Sequence, residues 1–63
     1  MNKVIGVDVK GDVLHENDLC RFMWEGREYT GRIVYDFNTY RYCVKFSSQK
    51  IWMGDVEAIM KEE

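Results

Sequence analysis

The feature that most constrains this chain is a period-two alternation of apolar and polar residues between Asp18 and Ile59. Short runs rich in β-branched and aromatic residues are separated by segments that contain Gly, Asp, Asn or Ser. Such alternation is typical of half-buried antiparallel strands rather than helices. The runs cover residues 19–24, 29–35, 40–46 and 51–53, followed by a closing segment at 54–59. The pattern predicts an all-β fold, a small barrel of about five antiparallel strands.

The alternation also predicts which side chains fill the barrel. Gly31 falls on an inward face, which indicates a bend or a close approach between strands. Cys43 and Trp52 fall on outward faces. The expected core residues are Phe22, Ile33, Tyr42, Val44, Phe46 and Val56.

The two ends of the chain are expected to differ from the middle. Residues 1–17 alternate around a Lys10-Gly11-Asp12 turn and predict an extended N-terminal arm that packs on the barrel, which covers residues 18–60. A single helical turn is expected at 54–59, with Asp55 as its cap and with Val56 and Ile59 on one side. Residues 61–63 are expected to form a frayed tail.

Length and composition limit the class of protein. A chain of 63 residues is one domain, and at this size only ~60% of the unfolded surface is buried, so aromatic side chains or a homodimer must supply extra burial. There is no signal-peptide core and no apolar run long enough to cross a membrane. Cys20 and Cys43 are therefore expected to be reduced apolar residues in a cytoplasmic protein without membrane contact.

Two resemblances follow from these residues. The strand order, the Gly31 position and the Asp55-Val56 turn resemble SH3-like barrels of the Tudor type. Residues 5–8, Gly11 and 14–20 resemble the YopX family of phage and prophage proteins, as does the later strand 31–34. His15 stands where that family usually has tyrosine, and Asn17 where it has glycine; Asn tolerates positive φ better than most residues. The resemblance implies a phage or prophage origin and no biochemical function.

Aromatic residues on the outside of the barrel are the first candidate site. Trp and Tyr dominate interface hot spots, so an outward cluster predicts docking on another protein, with a bacterial host protein as the expected partner and inhibition or regulation as the expected effect. The candidate protein-binding residues are Trp52, Tyr40, Phe37, Met23 and Trp24. A cage for a methylated cation is an alternative use of the aromatic residues Trp24, Tyr35, Phe37, Tyr40 and Trp52. The resemblance to Tudor-type barrels implies that Trp24 forms one wall, and Asp36 or Asn38 would complete the cage.

Basic residues on outward strand faces are the second candidate site. With nearby aromatic rings they could stack bases and contact phosphates, although the formal net charge of −2 lacks the basic excess that is usual in dedicated nucleic-acid binders. The residues of this alternative are Arg21, Arg32, Arg41 and Lys45.

Catalytic and metal-binding patterns are not evident in the sequence. The chain has no nucleophile–base pair at a useful spacing and no phosphate-binding glycine loop. The spacing of His15, Glu16, Asp18 and Cys20 matches no standard zinc pattern. We therefore expect a protein without catalytic activity, cofactor or metal.

Overall fold

The computed structural model describes residues 3–62, which form seven strands and one 3₁₀ turn. The strands are β1 Val4–Val7, β2 Val13–His15, β3 Leu19–Trp24, β4 Arg27–Asp36, β5 Arg41–Phe46, β6 Gln49–Trp52 and β7 Glu57–Lys61; the 3₁₀ turn is Met53–Asp55. None of the described residues form a helix long and apolar enough to span a membrane. The prediction of a small all-β fold is confirmed.

The strands form two antiparallel sheets. One contains five strands in the order β6-β5-β4-β3-β7, and the other pairs β1 with β2. Within residues 3–62, no strand ladder joins β6 to β7, the two edges of the larger sheet. The 3₁₀ turn connects these edges along the chain.

Gly31 marks a close approach between two neighbouring strands. A Cβ atom built on Gly31 would lie 2.5 Å from the carbonyl oxygen of Lys45 on β5. No side chain can occupy that position without moving the backbone, and the predicted close approach at Gly31 is confirmed.

The core lies between the five-stranded sheet and the N-terminal arm. Phe22, Ile33 and Val44 are fully buried, as predicted, but so are Leu14 and Cys20. The other expected core residues, Tyr42, Phe46 and Val56, are only partly buried and pack against this centre. The arm thus contributes Leu14 to the core itself rather than only covering a finished barrel.

Asp8 joins the arm to the C-terminal strand. Its buried carboxylate accepts hydrogen bonds from the backbone N–H groups of Lys10 at 2.9 Å, Asp12 at 2.8 Å and Lys61 at 2.8 Å. The N–H of Val9 donates to the carbonyl of Ile59 at 3.1 Å. The arm and the C-terminal strand are therefore joined by the Asp8 carboxylate and by one backbone hydrogen bond of Val9.

The C-terminal end differs from the prediction. The helical turn expected at 54–59 is a 3₁₀ turn at Met53–Asp55, and residues 57–61 are a strand paired with β3. The expected frayed tail is also wrong for Lys61, which ends β7, and for Glu62, whose N–H donates to the Leu19 carbonyl at 2.8 Å. Glu63 lies outside the described residues.

Both cysteines are buried free thiols. Burial raises the pKa of Cys20 to about 11 and also raises the pKa of Cys43. Cys43 is on the outward face of β5, yet it is buried, with Val34 and Trp52 as its cross-strand partners. The outward face of the sheet therefore has a small apolar layer of its own.

Candidate binding surface

The β4–β5 turn is ordered by one carboxylate. Asp36 accepts hydrogen bonds from the backbone N–H of Asn38 and from the Thr39 hydroxyl, both at 3.0 Å. The Asn38 bond is the main reason that the pKa of Asp36 is lowered. Asp residues favour such turns because they bond their own backbone two residues on. These hydrogen bonds hold the backbone of the turn, and the residues in it, in one conformation.

Two aromatic side chains project from this turn. Phe37 is 76% exposed and Tyr40 is 78% exposed. The Phe37 ring meets the Tyr35 ring edge-on, with centroids 4.9 Å apart. Tyr40 has a φ of 57°, in the left-handed region that L-residues with large side chains avoid.

Trp52 lies at the same end of the sheet and is held in place. The guanidinium of Arg41 lies over the indole, 4.4 Å from the ring centroid. The six-membered ring rests against Gly54, where a Cβ atom would come within 2.6–2.7 Å of three ring carbons. The side chain is nevertheless 43% exposed. The expectation that Trp52 points outward is therefore met, and its packing partners are Arg41 and Gly54.

We name the aromatic and basic residues at this end of the sheet the hairpin patch. It consists of Phe37, Tyr40, Arg41 and Trp52. The β4–β5 turn and the C-terminal end of β6 meet there because β6 runs antiparallel to β5, with Trp52 opposite Cys43. Three of the five predicted protein-binding residues thus lie at one end of the sheet. Trp52 lies under Arg41 on the outer face, whereas Phe37 packs on Tyr35, which shares the other face with Tyr42.

The other two predicted protein-binding residues lie elsewhere. Met23 and Trp24 are at the end of β3, opposite Glu28 and Arg27 at the start of β4. The 10 residues of β4 lie between these two residues and the β4–β5 turn. Trp24 packs against the core beside Tyr29 and Phe46, with centroids 5.9 and 6.1 Å away. Trp24, the expected cage wall, is at the opposite end of β4 from Asp36 and Asn38, so the expected cage is not formed with either residue.

The predicted basic residues also separate into distinct environments. Arg21 is paired with Glu62, its Nε 3.2 Å from a carboxylate oxygen, and Arg41 is stacked on Trp52. Arg32 and Lys45 are direct cross-strand partners, and Lys45 is in turn opposite Lys50 on β6. We name Arg32, Lys45 and Lys50 the cationic row.

Lys50 is a member that sequence reasoning left out of the candidate site. Alternation along β6 places it on the same face as Trp52, but its position opposite Lys45 depends on the β5–β6 register. That register follows from a turn at Ser47 and Ser48, between Phe46 and Gln49. The two serines between residues 46 and 49 are the sequence feature that could predict this register, because a two-residue turn fixes how its two strands pair.

The described residues contain no pocket and no group of three or more potential metal ligands. His15 and Asp18 are instead part of the arm: the His15 backbone N–H donates to the Asp18 carboxylate at 2.7 Å, and Lys61 Nζ is 3.5 Å from the same oxygen. The open surfaces are consequently the places where this part of the chain can meet another molecule.

Compared with protein-family models, curated proteins and solved structures, the chain shows no significant match in any of the three.

Proposed function

We propose that this protein is a non-enzymatic binding protein that docks on another protein through the hairpin patch. The observation that carries the proposal is Tyr40, a large aromatic residue in a left-handed backbone conformation with its side chain 78% exposed. A left-handed residue other than Gly costs ~1–2 kcal/mol. Strain at a position whose side chain is so exposed is a reason to infer function.

Trp52 and Arg41 supply the second argument. Trp, Tyr and Arg are the residue types that dominate interface hot spots, and the hairpin patch contains one of each beside Phe37. Contact with Arg41 and Gly54 fixes the indole before any partner arrives. A side chain that is already ordered loses less entropy on binding, which favours affinity.

The class of partner rests on the sequence resemblance. The likeness of residues 5–8, Gly11, 14–20 and 31–34 to YopX proteins supports a phage or prophage origin. We infer that the partner is a bacterial host protein, that the encounter takes place in the cytoplasm, and that docking inhibits or regulates this host protein. A closed SH3-like barrel of the Tudor type is part of the same proposal, supported by the five-stranded antiparallel order.

Replacing Tyr40 by Gly tests this proposal. Gly relieves the left-handed strain but adds ~0.5–1 kcal/mol of backbone entropy cost, so the free energy of unfolding should rise by up to ~1.5 kcal/mol. Partner binding should weaken at least tenfold, as expected for a hot-spot aromatic residue. The measurements are urea unfolding and calorimetric titration of a partner captured from bacterial lysate and then purified.

Ser47→Gly is the matched control. Ser47 also has a left-handed φ, 55°, and is an exposed turn residue, but it carries no aromatic ring. Its replacement should raise stability by a similar amount and leave partner binding unchanged. If Tyr40→Gly binds as tightly as the wild type, or if no partner is captured at stoichiometric amounts, the proposal is wrong.

A further inference from the structure

The cationic row is a second surface on the outer face, beside the hairpin patch. Arg32, Lys45 and Lys50 are exposed and directly opposite one another on three neighbouring strands. Adjacent strands are ~4.8 Å apart, so the row extends over roughly 10 Å. Like charges that face each other across strands destabilise a sheet. A row of this kind therefore needs a reason other than stability.

The charges of the row are poorly compensated within the molecule. Among residues 3–62, Arg32 and Lys45 make no ion pair with a carboxylate. The Arg32 guanidinium donates instead to the neutral backbone carbonyl of Asn17 at 3.0 Å. Lys50 reaches Asp36 only at 3.9 Å, and that carboxylate is already bonded within the β4–β5 turn.

The cationic row is positive although the chain as a whole is negative. The formal net charge is −2, yet Arg41 adds a fourth cation on the same face of β5, four positions before Lys45. Asp36 lies 3.9 Å from Lys50 and Glu62 is paired with Arg21, whereas Glu28 and Glu57 lie toward the other end of the sheet, where they flank Met23. Three cations side by side, with Arg32 and Lys45 outside any of these ion pairs, are an arrangement that attracts an anionic ligand.

A planar group lies beside the row. The Arg41 guanidinium covers the Trp52 ring with one face, and the residue is exposed on its other side. Arginine planes and tyrosine rings are surfaces on which unpaired bases stack. Tyr40, the neighbouring residue, is 78% exposed. The cations that can contact phosphates therefore lie beside planar groups that can stack on bases.

From this arrangement we propose that the outer face binds single-stranded nucleic acid. The cationic row contacts successive phosphates, and the free faces of Arg41 and Tyr40 stack on bases. A single strand fits because its bases are unpaired and available for stacking, which those of a duplex are not. This activity goes beyond protein docking and depends on residues of the row that lie outside the hairpin patch.

Fluorescence anisotropy with a labelled oligothymidylate of about 20 nucleotides tests the proposal. Three phosphate contacts predict that log K falls with log salt with a slope of about −2, since each contact on a single strand contributes ~0.7. Lys45→Gln should reduce this slope by ~0.7 and weaken binding about 5-fold at ~0.1 M salt. Lys45→Gln/Lys50→Gln should weaken it about 25-fold under the same conditions.

Arg27→Gln is the control, because it removes the same charge from an exposed residue at the far end of β4. It should leave both the slope and the affinity close to those of the wild type. No binding at about 20 mM salt, where screening is weak, overturns the proposal. So does an unchanged affinity of the Lys45→Gln/Lys50→Gln variant while circular dichroism shows a folded protein.

Two further probes identify the class of anion. Polyglutamate and polyphosphate of comparable length are titrated under the same conditions. Weaker binding of both probes supports stacking of bases on Arg41 and Tyr40. Polyglutamate that binds as tightly as the oligothymidylate indicates a surface for acidic proteins, and equally tight polyphosphate indicates a site for phosphate alone. Either result overturns the assignment to nucleic acid.

Discussion

At the scale of single residues, Gly31 has the clearest steric role. A Cβ at this position would lie 2.5 Å from the Lys45 carbonyl oxygen and 3.3 Å from Cβ of Phe46. Gly31→Ala should therefore lower the free energy of unfolding by roughly 1–3 kcal/mol, the usual cost of overpacking. Urea unfolding followed by tryptophan fluorescence measures this. Gly6→Ala is the control, since a Cβ there has no atom within 4 Å; equal stability of both variants would contradict the steric argument.

The sequence predicts turns and positive φ at residues whose type favours them, and it does not predict positive φ at residues whose type disfavours it. Asn17 has a φ of 75°, a region that Asn tolerates better than most residues, and Asp36 bonds its own turn as Asp residues do. Tyr40 and Ala58 also have positive φ, 57° and 51°. Neither residue type favours that region, so nothing in their identity signalled it.

At the scale of elements, β7 shows how tertiary contacts override local preference. Asp55 as a cap and the spacing of Val56 and Ile59 predict a helical turn in this segment, and the structure has a strand there instead. The strand forms because it pairs with β3 and because Asp8 and Val9 bond its backbone. A bulge at Ala58, where the register between β3 and β7 shifts, breaks the alternation that would have revealed the strand.

The candidate surfaces were predictable only in part, for a similar reason. Alternation placed Trp52, Arg32 and Lys45 on the outer face, as the structure has them. Alternation does not say which strand ends meet. The separation of Met23 and Trp24 from the hairpin patch depends on the direction and register of the β3–β4 pairing, which the sequence pattern leaves open.

The link between the arm and β7 should depend on pH through Asp8. Its pKa is lowered, chiefly by the hydrogen bond from the Lys61 backbone N–H. The unfolded chain therefore takes up this proton at a higher pH, near ~3.9, than the folded protein does. The stabilisation is complete above that pH and is lost as the pH falls through the lowered pKa.

Asp8→Asn should be less stable than the wild type at pH ~6, and the difference should shrink as the pH falls toward ~2.5. Urea midpoints at several pH values measure this. Asp55→Asn, which changes an exposed carboxyl in the 3₁₀ turn, should leave the acid dependence almost as it is. If the difference in stability between the wild type and Asp8→Asn stays constant across this pH range, the link between the arm and β7 does not depend on pH through Asp8.

At the scale of the whole molecule, the two sheets share one core and should unfold together. Leu14 belongs to β2, yet it is 1% exposed and clusters with Phe22, Ile33 and Val44 of the larger sheet. A domain of 63 residues has a total stability of roughly 3–9 kcal/mol. Leu14→Ala should lower the free energy of unfolding by about 2–5 kcal/mol, which is a large part of this total. When the wild-type protein is unfolded in urea, its fluorescence and circular dichroism should lose their native signals at the same urea concentration. An arm that unfolds first would instead give two transitions.

The reactivity of the two thiols, which lie on opposite faces of the sheet, tests whether the domain unfolds cooperatively. Cys20 faces the core and Cys43 lies on the outer face, and both are buried with raised pKa values, about 11 for Cys20. A thiol reacts as its thiolate, so a disulfide reagent should modify both cysteines only when the whole domain opens. Cys20→Ala and Cys43→Ala variants isolate each thiol, and the two single-thiol proteins should react at the same rate once their stabilities are matched with urea. Faster reaction at Cys43 would mean that Trp52 and Arg41 lift from the outer face without global unfolding, and that the hairpin patch moves as a unit of its own.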